Sequence, residues 1–275
     1  MRPVSETTVS GMRKVVVPAL VSLSLLAAAC GDSGTDTFGP GVGDSSEQAS
    51  APIDIDVSDL ALTPGATEEG SVDIAGTTID YVVSVPDGFE PGDTAPVLLA
   101  LPPGGQGLDL ARGTVEQVYA NEAQRLGWVV VSPAAPDGVL YFNGSEELLP
   151  GFVDWIEAWV TPEGGAPHVA GISNGGISAF RYATQNPDRT LSVITLPGFP
   201  RGEADRAALD GLTGVPVRMY VGGTDTSWIP PAEDAVASLQ SFGGDAELQI
   251  FAGEGHGIAS TSDGTLIFEQ LESFR

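Results

Sequence analysis

A serine between two glycines is the part of this sequence best suited to covalent chemistry. Residues 171–175 read Gly-Ile-Ser-Asn-Gly, after the apolar pair Val169 and Ala170 and before an amphipathic stretch, residues 177–183. Between a strand and a helix, this spacing predicts a sharp turn that holds the Ser173 hydroxyl exposed. The glycines are needed because a Cβ would collide with the crossing strand and helix. Such a hydroxyl becomes a nucleophile when a neighbouring base takes its proton.

The chain offers two histidines as that base, and imidazole has the right pKa near neutral pH. His168 lies five residues before Ser173 on the same predicted strand, roughly 16 Å away at about 3.3 Å per residue. We therefore predict a surface histidine at a strand end, without a catalytic role. His256 lies in a glycine-rich loop, residues 252–257, directly after the predicted strand 246–251. We predict His256 as the base.

An imidazole base needs a carboxylate that fixes its tautomer and stabilises the imidazolium. Asp225 ends the segment Gly-Gly-Thr-Asp, residues 222–225, which directly follows the predicted strand 215–221, and it lies between the serine and the histidine in the chain. The order serine, aspartate, histidine is that of α/β-hydrolase triads, so Asp225 is the predicted acid. Asp234 and Glu254 are the alternatives, although Asp234 falls inside a predicted helix and Glu254 is too close to His256 in sequence to orient it easily.

Attack by a serine on a carbonyl produces an oxyanion, which needs two preplaced N–H donors. One predicted donor is the backbone N–H of Asn174, the residue after the nucleophile. The other should come from the loop 102–106, Pro-Pro-Gly-Gly-Gln, which follows a predicted strand. Proline has no N–H, so Gly104, Gly105 and Gln106 remain, and Gly105 is preferred.

The elements that must position these residues alternate along the chain from about residue 71. Alternation of strands and helices predicts an α/β fold with a mostly parallel sheet covered by helices on both faces. In such sheets the active site lies at the carboxyl ends of the strands, and the insertion 133–149 would wall or cap a pocket there. The predicted strands are 78–85, 96–101, 128–131, one ending at 173, 191–196, 215–221 and 246–251, and the predicted helices are 114–126, 148–160, one ending near 184, 203–209, 232–241 and 265–274.

The first 29 residues are predicted to be a signal peptide of the lipoprotein type. Arg13 and Lys14 precede an apolar run, residues 15–26, that is too short to span a bilayer comfortably. Small residues then lead to Cys30, the only cysteine in the chain, which is the predicted lipidation site. A plain cleaved signal with an incidental cysteine is the alternative.

Three segments follow from this interpretation: the signal peptide 1–29, a flexible linker 30–52 and a globular domain 53–275. The linker is rich in Gly, Ser, Asp and Thr, a composition that cannot bury enough apolar surface to fold. We expect an extracytoplasmic protein, anchored to the bacterial cell membrane through Cys30 or secreted.

Charge and composition exclude several partners. The formal net charge is −26, and residues 1–29 carry three basic side chains and one acidic one, so cleavage would leave −28. This surface repels nucleic acid and anionic lipid headgroups and disfavours a polyanionic substrate. The acidic residues Asp54, Asp56 and Asp59 lack the glycine and the ligand spacing of a calcium loop. We predict no metal and no cofactor.

The stretch from Tyr81 to Arg189 resembles secreted serine esterases of the α/β-hydrolase superfamily, of the polyhydroxybutyrate-depolymerase and feruloyl-esterase type. The sequence departs from this family after the third strand, where the family usually has His-Gly and this chain has Pro102-Pro103. The matching motifs are Tyr-x-x-x-Val-Pro at 81–86, Val-Leu-Leu-Ala-Leu at 97–101 and Gly-Ile-Ser-Asn-Gly-Gly at 171–176.

This resemblance implies hydrolysis of a neutral carboxylic ester, small or oligomeric, through an acyl-enzyme. Ser173, Asp225 and His256 would take the triad roles. Two other functions remain open: a peptidase of the same fold, and a non-catalytic surface lipoprotein that uses the fold as a scaffold.

Overall fold

An eight-stranded sheet forms the centre of the computed structural model, which describes residues 60–275. Its strands lie in the order β1-β2-β5-β4-β7-β8-β9-β10, and β3 pairs with β6 in a separate two-stranded ladder. The bounds are β1 Thr67–Ile74, β2 Thr77–Ser84, β3 Thr94–Ala95, β4 Val97–Leu101, β5 Val129–Pro133, β6 Thr161–Pro162, β7 His168–Gly171, β8 Val193–Thr195, β9 Val217–Gly222 and β10 Ala246–Phe251.

The direction of the strands confirms the predicted fold class. The strands β5, β4, β7, β8, β9 and β10 pair in parallel, whereas β2 pairs antiparallel with both β1 and β5. Within this sheet β2 therefore runs opposite to the other seven strands, near one edge. Strand β1 was not predicted, because its sequence Thr-Glu-Glu-Gly-Ser-Val-Asp-Ile is mostly polar. Its main-chain bonds to β2 make it a strand, and an edge strand does not need two apolar faces.

Helices cover both faces of the sheet, as predicted. The segment predicted as a helix from residue 114 begins earlier, at Leu108, and contains one π-helical turn, Val115–Tyr119. The first turns of this helix were not predicted, because glycines at 107 and 113 interrupt the helical spacing of apolar residues in the sequence. The helices are α1 Leu108–Thr114, α2 Ala120–Leu126, α3 Leu149–Glu157, α4 Asn174–Gln185, α5 Glu203–Ala207, α6 Ile229–Ser241 and α7 Thr265–Glu272.

Strand β4 shows how the sheet separates two apolar layers. Leu99 and Leu101 belong to the layer that contains α3 residues such as Phe152. Leu98 and Ala100 belong to the opposite layer, together with Phe268 of α7. Successive side chains of a strand point to opposite faces, so a continuous apolar run is what a strand buried on both faces requires.

The carboxyl ends of the central strands are level with one another. Leu101 of β4 pairs with Gly171 of β7, and Gly171 pairs with Thr195 of β8. Strand β9 continues to Gly222, which pairs with Phe251 of β10. The loops that follow these strands therefore meet at one edge, called here the carboxyl edge.

The predicted signal peptide 1–29, the lipidation site Cys30 and the linker 30–52 lie outside the described residues and remain predictions. No helix within residues 60–275 is long and apolar enough to cross a membrane.

Candidate active site

Ser173 occupies the turn between β7 and α4 in a backbone conformation that few side chains adopt. Its φ is 57° and its ψ is −117°, which costs about 1–3 kcal/mol for a residue other than glycine. The Ser173 N–H donates to the Pro197 carbonyl at 2.9 Å, and the Ser173 carbonyl accepts from the Ile177 N–H at 3.1 Å. These bonds hold the strained turn in place at the carboxyl edge.

The main chain around Ser173 leaves no room for a Cβ on the neighbouring glycines. A Cβ on Gly171 would lie 2.1 Å from the Gly175 carbonyl oxygen, and one on Gly175 would lie 2.0 Å from the Leu101 carbonyl oxygen. Both distances are far below van der Waals contact and both involve rigid backbone. The structure thus gives the physical reason for the Gly-x-Ser-x-Gly spacing.

His256 reaches the serine from the loop after β10. Its Nε2 lies 2.8 Å from the Ser173 Oγ, and its Nδ1 lies 2.6 Å from Oδ2 of Asp225. A carboxylate can only accept, so Nδ1 carries the proton and Nε2 is left to accept from the serine hydroxyl. The imidazole side chain is 46% exposed, which leaves it accessible to a substrate.

Asp225 is brought to the histidine by a close approach of two loops. The carboxylate is only 11% exposed, and the Asp225 N–H donates to the Gly222 carbonyl at 3.0 Å. A Cβ on Gly222 would lie 2.0 Å from the Gly255 carbonyl oxygen. Gly222 is therefore required for the loop after β9 to pass beside the loop after β10.

Neither alternative acid contacts the histidine. The Glu254 carboxylate accepts from the N–H of Ser260 at 3.1 Å and from its hydroxyl, and these bonds lower the pKa of Glu254. The Glu254 carbonyl accepts from both the N–H and the hydroxyl of Thr224 at 2.8 Å. Glu254 thus closes the His256 loop and joins it to the Asp225 loop, while Asp234 lies on α6 beside a separate cavity.

The loop predicted to supply an oxyanion donor lies against the first turn of α4. The side-chain amide of Asn174 donates to the Gly104 carbonyl at 2.8 Å. Gln106 is excluded as the donor because its N–H already bonds the Pro103 carbonyl at 3.0 Å. Within residues 60–275, the backbone N–H groups of Asn174, Gly104 and Gly105 donate to no protein acceptor, so all three stay available.

Gln106 joins this loop to its surroundings, which the sequence alone did not indicate. The side chain is fully buried, and its Nε2 donates to the Pro102 carbonyl at 3.2 Å and to Ser178 Oγ at 3.0 Å. Its Oε1 accepts from the Tyr141 N–H at 2.9 Å, and its carbonyl accepts from the Ala135 N–H at 2.7 Å. One residue thus connects the loop, helix α4 and the insertion 133–149.

Two aromatic side chains pack around the histidine on the side of α6. The Trp228 ring lies 4.9 Å from the His256 ring, and the Phe199 ring packs edge-on against Trp228 at 4.9 Å between centroids. Phe199 belongs to the loop after β8. These contacts restrict the imidazole to the orientation that faces Ser173.

His168 lies at the opposite, amino end of β7, and the prediction of a surface position is wrong. It is 1% exposed, with Nδ1 2.7 Å from Ser192 Oγ and its ring 5.0 Å from that of Trp128. Burial lowers the pKa of His168 to about 4, with a smaller contribution from Arg275. The indole N–H of Trp128 donates to Glu272 at 2.7 Å, and the Trp128 ring covers His168 at the amino end of β7. The sequence pattern did not indicate that this strand end is covered.

The topology of the sheet and the position of the serine turn define the α/β-hydrolase fold. No protein-family model matches the chain, and no curated protein matches its sequence significantly. Solved structures do match, and the predicted resemblance is confirmed at the level of the fold. Within residues 60–275, no group of three or more His, Cys, Asp or Glu residues is arranged to hold a metal ion.

The structural neighbours are hydrolases, mostly esterases. A thermostable esterase matches with a TM-score of 0.60 and 15% identity, over 76% of this chain and 62% of that one. A dienelactone hydrolase from Anabaena variabilis matches with a TM-score of 0.55 and 19% identity, over 76% and 96%. A ferulic acid esterase matches with a TM-score of 0.57 and 16% identity, over 76% and 97%.

The matches also include an acylaminoacyl peptidase from Pyrococcus horikoshii, with a TM-score of 0.56 and 14% identity, over 77% of this chain and 42% of that one. This chain therefore spans less than two thirds of the thermostable esterase and less than half of the peptidase. At such identities the likeness establishes the fold, and the reaction must be argued from the site.

Proposed function

We propose that this protein is a serine hydrolase that cleaves carboxylic esters through an acyl-enzyme. The observation that carries the proposal is the pair of hydrogen bonds on the His256 ring, 2.8 Å to the Ser173 hydroxyl and 2.6 Å to the Asp225 carboxylate. This is the connectivity that a nucleophile, a base and an orienting acid require.

In the first half-reaction, the Ser173 Oγ attacks the ester carbonyl while its proton passes to Nε2 of His256. Asp225, bonded to Nδ1–H, stabilises the imidazolium that forms. The carbonyl oxygen becomes an oxyanion beside the N–H of Asn174 and one N–H of Gly104 or Gly105. Collapse of this intermediate breaks the bond to the alcohol, which leaves with the proton from Nε2.

In the second half-reaction, water replaces the alcohol. Nε2 takes a proton from the water as its oxygen attacks the acyl-serine carbonyl, and the same N–H donors stabilise the second oxyanion. Collapse returns the proton to the Ser173 oxygen and releases the carboxylic acid. The strongly negative net charge, −26, favours neutral esters over polyanionic ones.

Two other functions make different predictions about the same site. A peptidase of this fold would cleave amides through the same three residues. A surface scaffold would bind ligands without needing a reactive serine. A fluorophosphonate probe, which labels an activated serine, separates the scaffold from the two enzymes, and a peptide substrate panel separates the peptidase from the esterase.

The decisive experiment compares two serine variants in the hydrolysis of p-nitrophenyl butyrate. Ser173→Ala should lower turnover by about 10⁵-fold and abolish fluorophosphonate labelling, with an unchanged melting temperature. The control, Ser241→Ala, removes an exposed hydroxyl that bonds only the Ser238 carbonyl within α6, and should keep full activity. Unchanged turnover in Ser173→Ala would refute the proposal.

We further propose that the protein is anchored outside the cytoplasm by a lipid on Cys30. Support for this comes from the sequence of residues 1–30. In the native host, Cys30→Ala should move the protein from the membrane fraction to the soluble fraction and prevent labelling by a fatty-acid analogue. Retention of the Cys30→Ala protein in the membrane fraction would contradict this anchor.

A further inference from the structure

A cavity of about 230 Å³ opens directly beside the histidine of the site. His256 forms part of its wall, and so does Ile172, the residue before the proposed nucleophile. A group bound in this cavity therefore lies next to the proposed base and to the residue that precedes the proposed nucleophile. The inference below rests on the proposed ester hydrolysis and specifies which esters fit.

The wall of this cavity is mostly apolar. Its large apolar side chains are Val118, Ile172, Leu196 and Ile258, and Thr261 and Ser262 add hydroxyl groups. Leu196 and Ile258 are also part of the buried core. Among the described residues, His256 is the only ionisable one that lines the cavity. A charged group bound there would lose hydration with no carboxylate, lysine or arginine to compensate it, so the cavity disfavours charge.

Contacts on both sides fix the position of the wall. Val118 lies in the π-helical turn Val115–Tyr119. Gly264, the residue before α7, lies against this turn, and a Cβ on it would be only 2.1 Å from the Val118 carbonyl oxygen. The absence of a Cβ at Gly264 therefore permits the close approach. Across the cavity, the Ile258 carbonyl accepts from the Thr261 N–H at 3.1 Å and from its hydroxyl at 2.9 Å. These contacts hold two sides of the cavity in place.

Two other cavities in the described part of the chain do not have this relation to the site. One, of about 200 Å³, lies between Phe199 and α6, and the other, of about 390 Å³, lies around Arg181 and Arg201. Neither has Ser173, Asp225 or His256 in its wall. The cavity at His256 is the one among these three whose occupant would be part of the reacting ester.

We infer that this cavity binds a short, uncharged, apolar group of the substrate and limits its length. An apolar cavity of roughly 150 Å³ accepts benzene, so this one has room for on the order of six to nine non-hydrogen atoms. The substrate class is an ester with a short alkyl chain or a single ring on one side of the scissile bond. Either the acyl or the alcohol side can supply such a group.

Two homologous series of esters test this inference and distinguish the two sides. In one series p-nitrophenyl esters carry acyl chains of two to twelve carbons, and in the other acetate esters carry alkyl alcohols over the same lengths. We expect kcat/KM to rise by about fourfold per methylene up to six to eight carbons in one series. It should fall at least tenfold by twelve carbons in that series.

Variants of the wall should move this limit in opposite directions. Val118→Phe fills the cavity and should shift the preferred chain length down by two or more carbons. Leu196→Ala enlarges it and should shift the preference up. The matched controls are Ile250→Phe, at an exposed isoleucine of β10, and Leu209→Ala, at a buried leucine of the cavity beside α6. Both controls should keep the wild-type profile.

The outcomes separate this inference from the proposed function. If hydrolysis depends on Ser173 but Val118→Phe and Leu196→Ala leave both chain-length profiles unchanged, the inference is overturned and the proposed function stands. If the wild-type protein hydrolyses no ester in either series, both fall. Because Val118 is only partly buried, Val118→Phe still tests the wall if Leu196→Ala does not fold.

Discussion

The two histidines of the chain lie at opposite edges of one sheet, in opposite environments. His256, at the carboxyl edge, has a side chain that is 46% exposed and bonded to Ser173 and Asp225. His168, at the amino edge, is 1% exposed, bonded to Ser192 and packed against Trp128. The same side chain is thus placed for proton transfer in one location and for packing in the other.

The two edges also differ in backbone conformation and in side-chain packing. At the carboxyl edge, Ser173 and Gln106 have positive φ values of 57° and 56°, and glycines allow the loops to pass within contact distance. At the amino edge, the Trp128 ring packs edge-on against Phe268 at 5.5 Å. Two of the four residues other than glycine with positive φ in the described part of the chain thus lie at the candidate site, and the opposite edge supplies tight packing that helps to stabilise the fold.

Substituting each histidine in turn tests most directly whether the two have different roles. His256→Ala should lower turnover of p-nitrophenyl butyrate by about 10⁵-fold while the melting temperature stays unchanged. His168→Ala should do the reverse, lowering the free energy of unfolding by about 2–4 kcal/mol with little change in kcat for the folded fraction. Kinetics and thermal unfolding of the two variants measure this, and similar effects at both positions would end the comparison.

A smaller loss of activity is expected from Asp225→Asn. The amide no longer fixes the tautomer of His256 or stabilises the imidazolium, so kcat should fall by about 10³–10⁴-fold. The isosteric control Asp234→Asn, on α6, should leave kcat unchanged, since the Asp234 carboxylate contacts no member of the triad. A large loss in Asp234→Asn with a small loss in Asp225→Asn would reassign the acid.

Gln106→Leu should have a still smaller effect on catalysis. Loss of the amide frees the loop that carries the proposed oxyanion donors, and we expect kcat to fall by about 10- to 100-fold with KM little changed. Affinity for a boronic acid, which forms a tetrahedral adduct with the serine, should fall in parallel. These two measurements report on oxyanion stabilisation rather than on folding.

The matched control for Gln106 is Gln124→Leu. Gln124 also donates from a partly buried amide, to the Val85 carbonyl at 2.6 Å, but on α2. The Gln124→Leu variant should have a lower melting temperature than the wild type, with unchanged kcat and unchanged affinity for the boronic acid. If the two variants behave alike, the role of Gln106 is structural only.

The last expected effect concerns stability in acid rather than catalysis. The folded protein holds the pKa of His168 at about 4, whereas an unfolded chain has a histidine pKa near 6.5. The unfolded state therefore binds the proton more readily, and stability is lost as pH falls from about 6.5 through 4, by about 3 kcal/mol. Denaturant unfolding of wild type and His168→Asn across this range isolates the contribution. Equal pH slopes in the two proteins would contradict it.

Several features of the fold followed directly from the sequence. Buried parallel strands such as Val97–Leu101 are continuous apolar runs, and the alternation with helices predicted their direction. Strand β1 could not be predicted because its polar residues are held by main-chain pairing with β2 rather than by burial. The start of α1 was missed because glycines interrupt the apolar pattern without interrupting the helix.

The candidate site shows a similar division. The turn around Ser173 has a local signature, and the order of Asp225 and His256 after successive strands indicated which side chains to examine. The role of Gln106 has no such signature, because its partners Ser178 and Tyr141 lie 72 and 35 positions away in the chain. The burial of His168 was also not predictable, since it is covered by Trp128, which is itself packed against Phe268 of α7.

By itself, the sequence determined which residues are candidates for the chemistry and which strand each one follows, because these depend on residue type and on patterns spanning a few neighbours. Only the tertiary structure decided that the imidazole of His256 meets one hydroxyl and one carboxylate, which acid is used, and how large the adjacent cavity is. Distances between loops depend on how strands align side by side and on where a Cβ is absent. Those quantities involve residues that are tens of positions apart, so no local pattern encodes them.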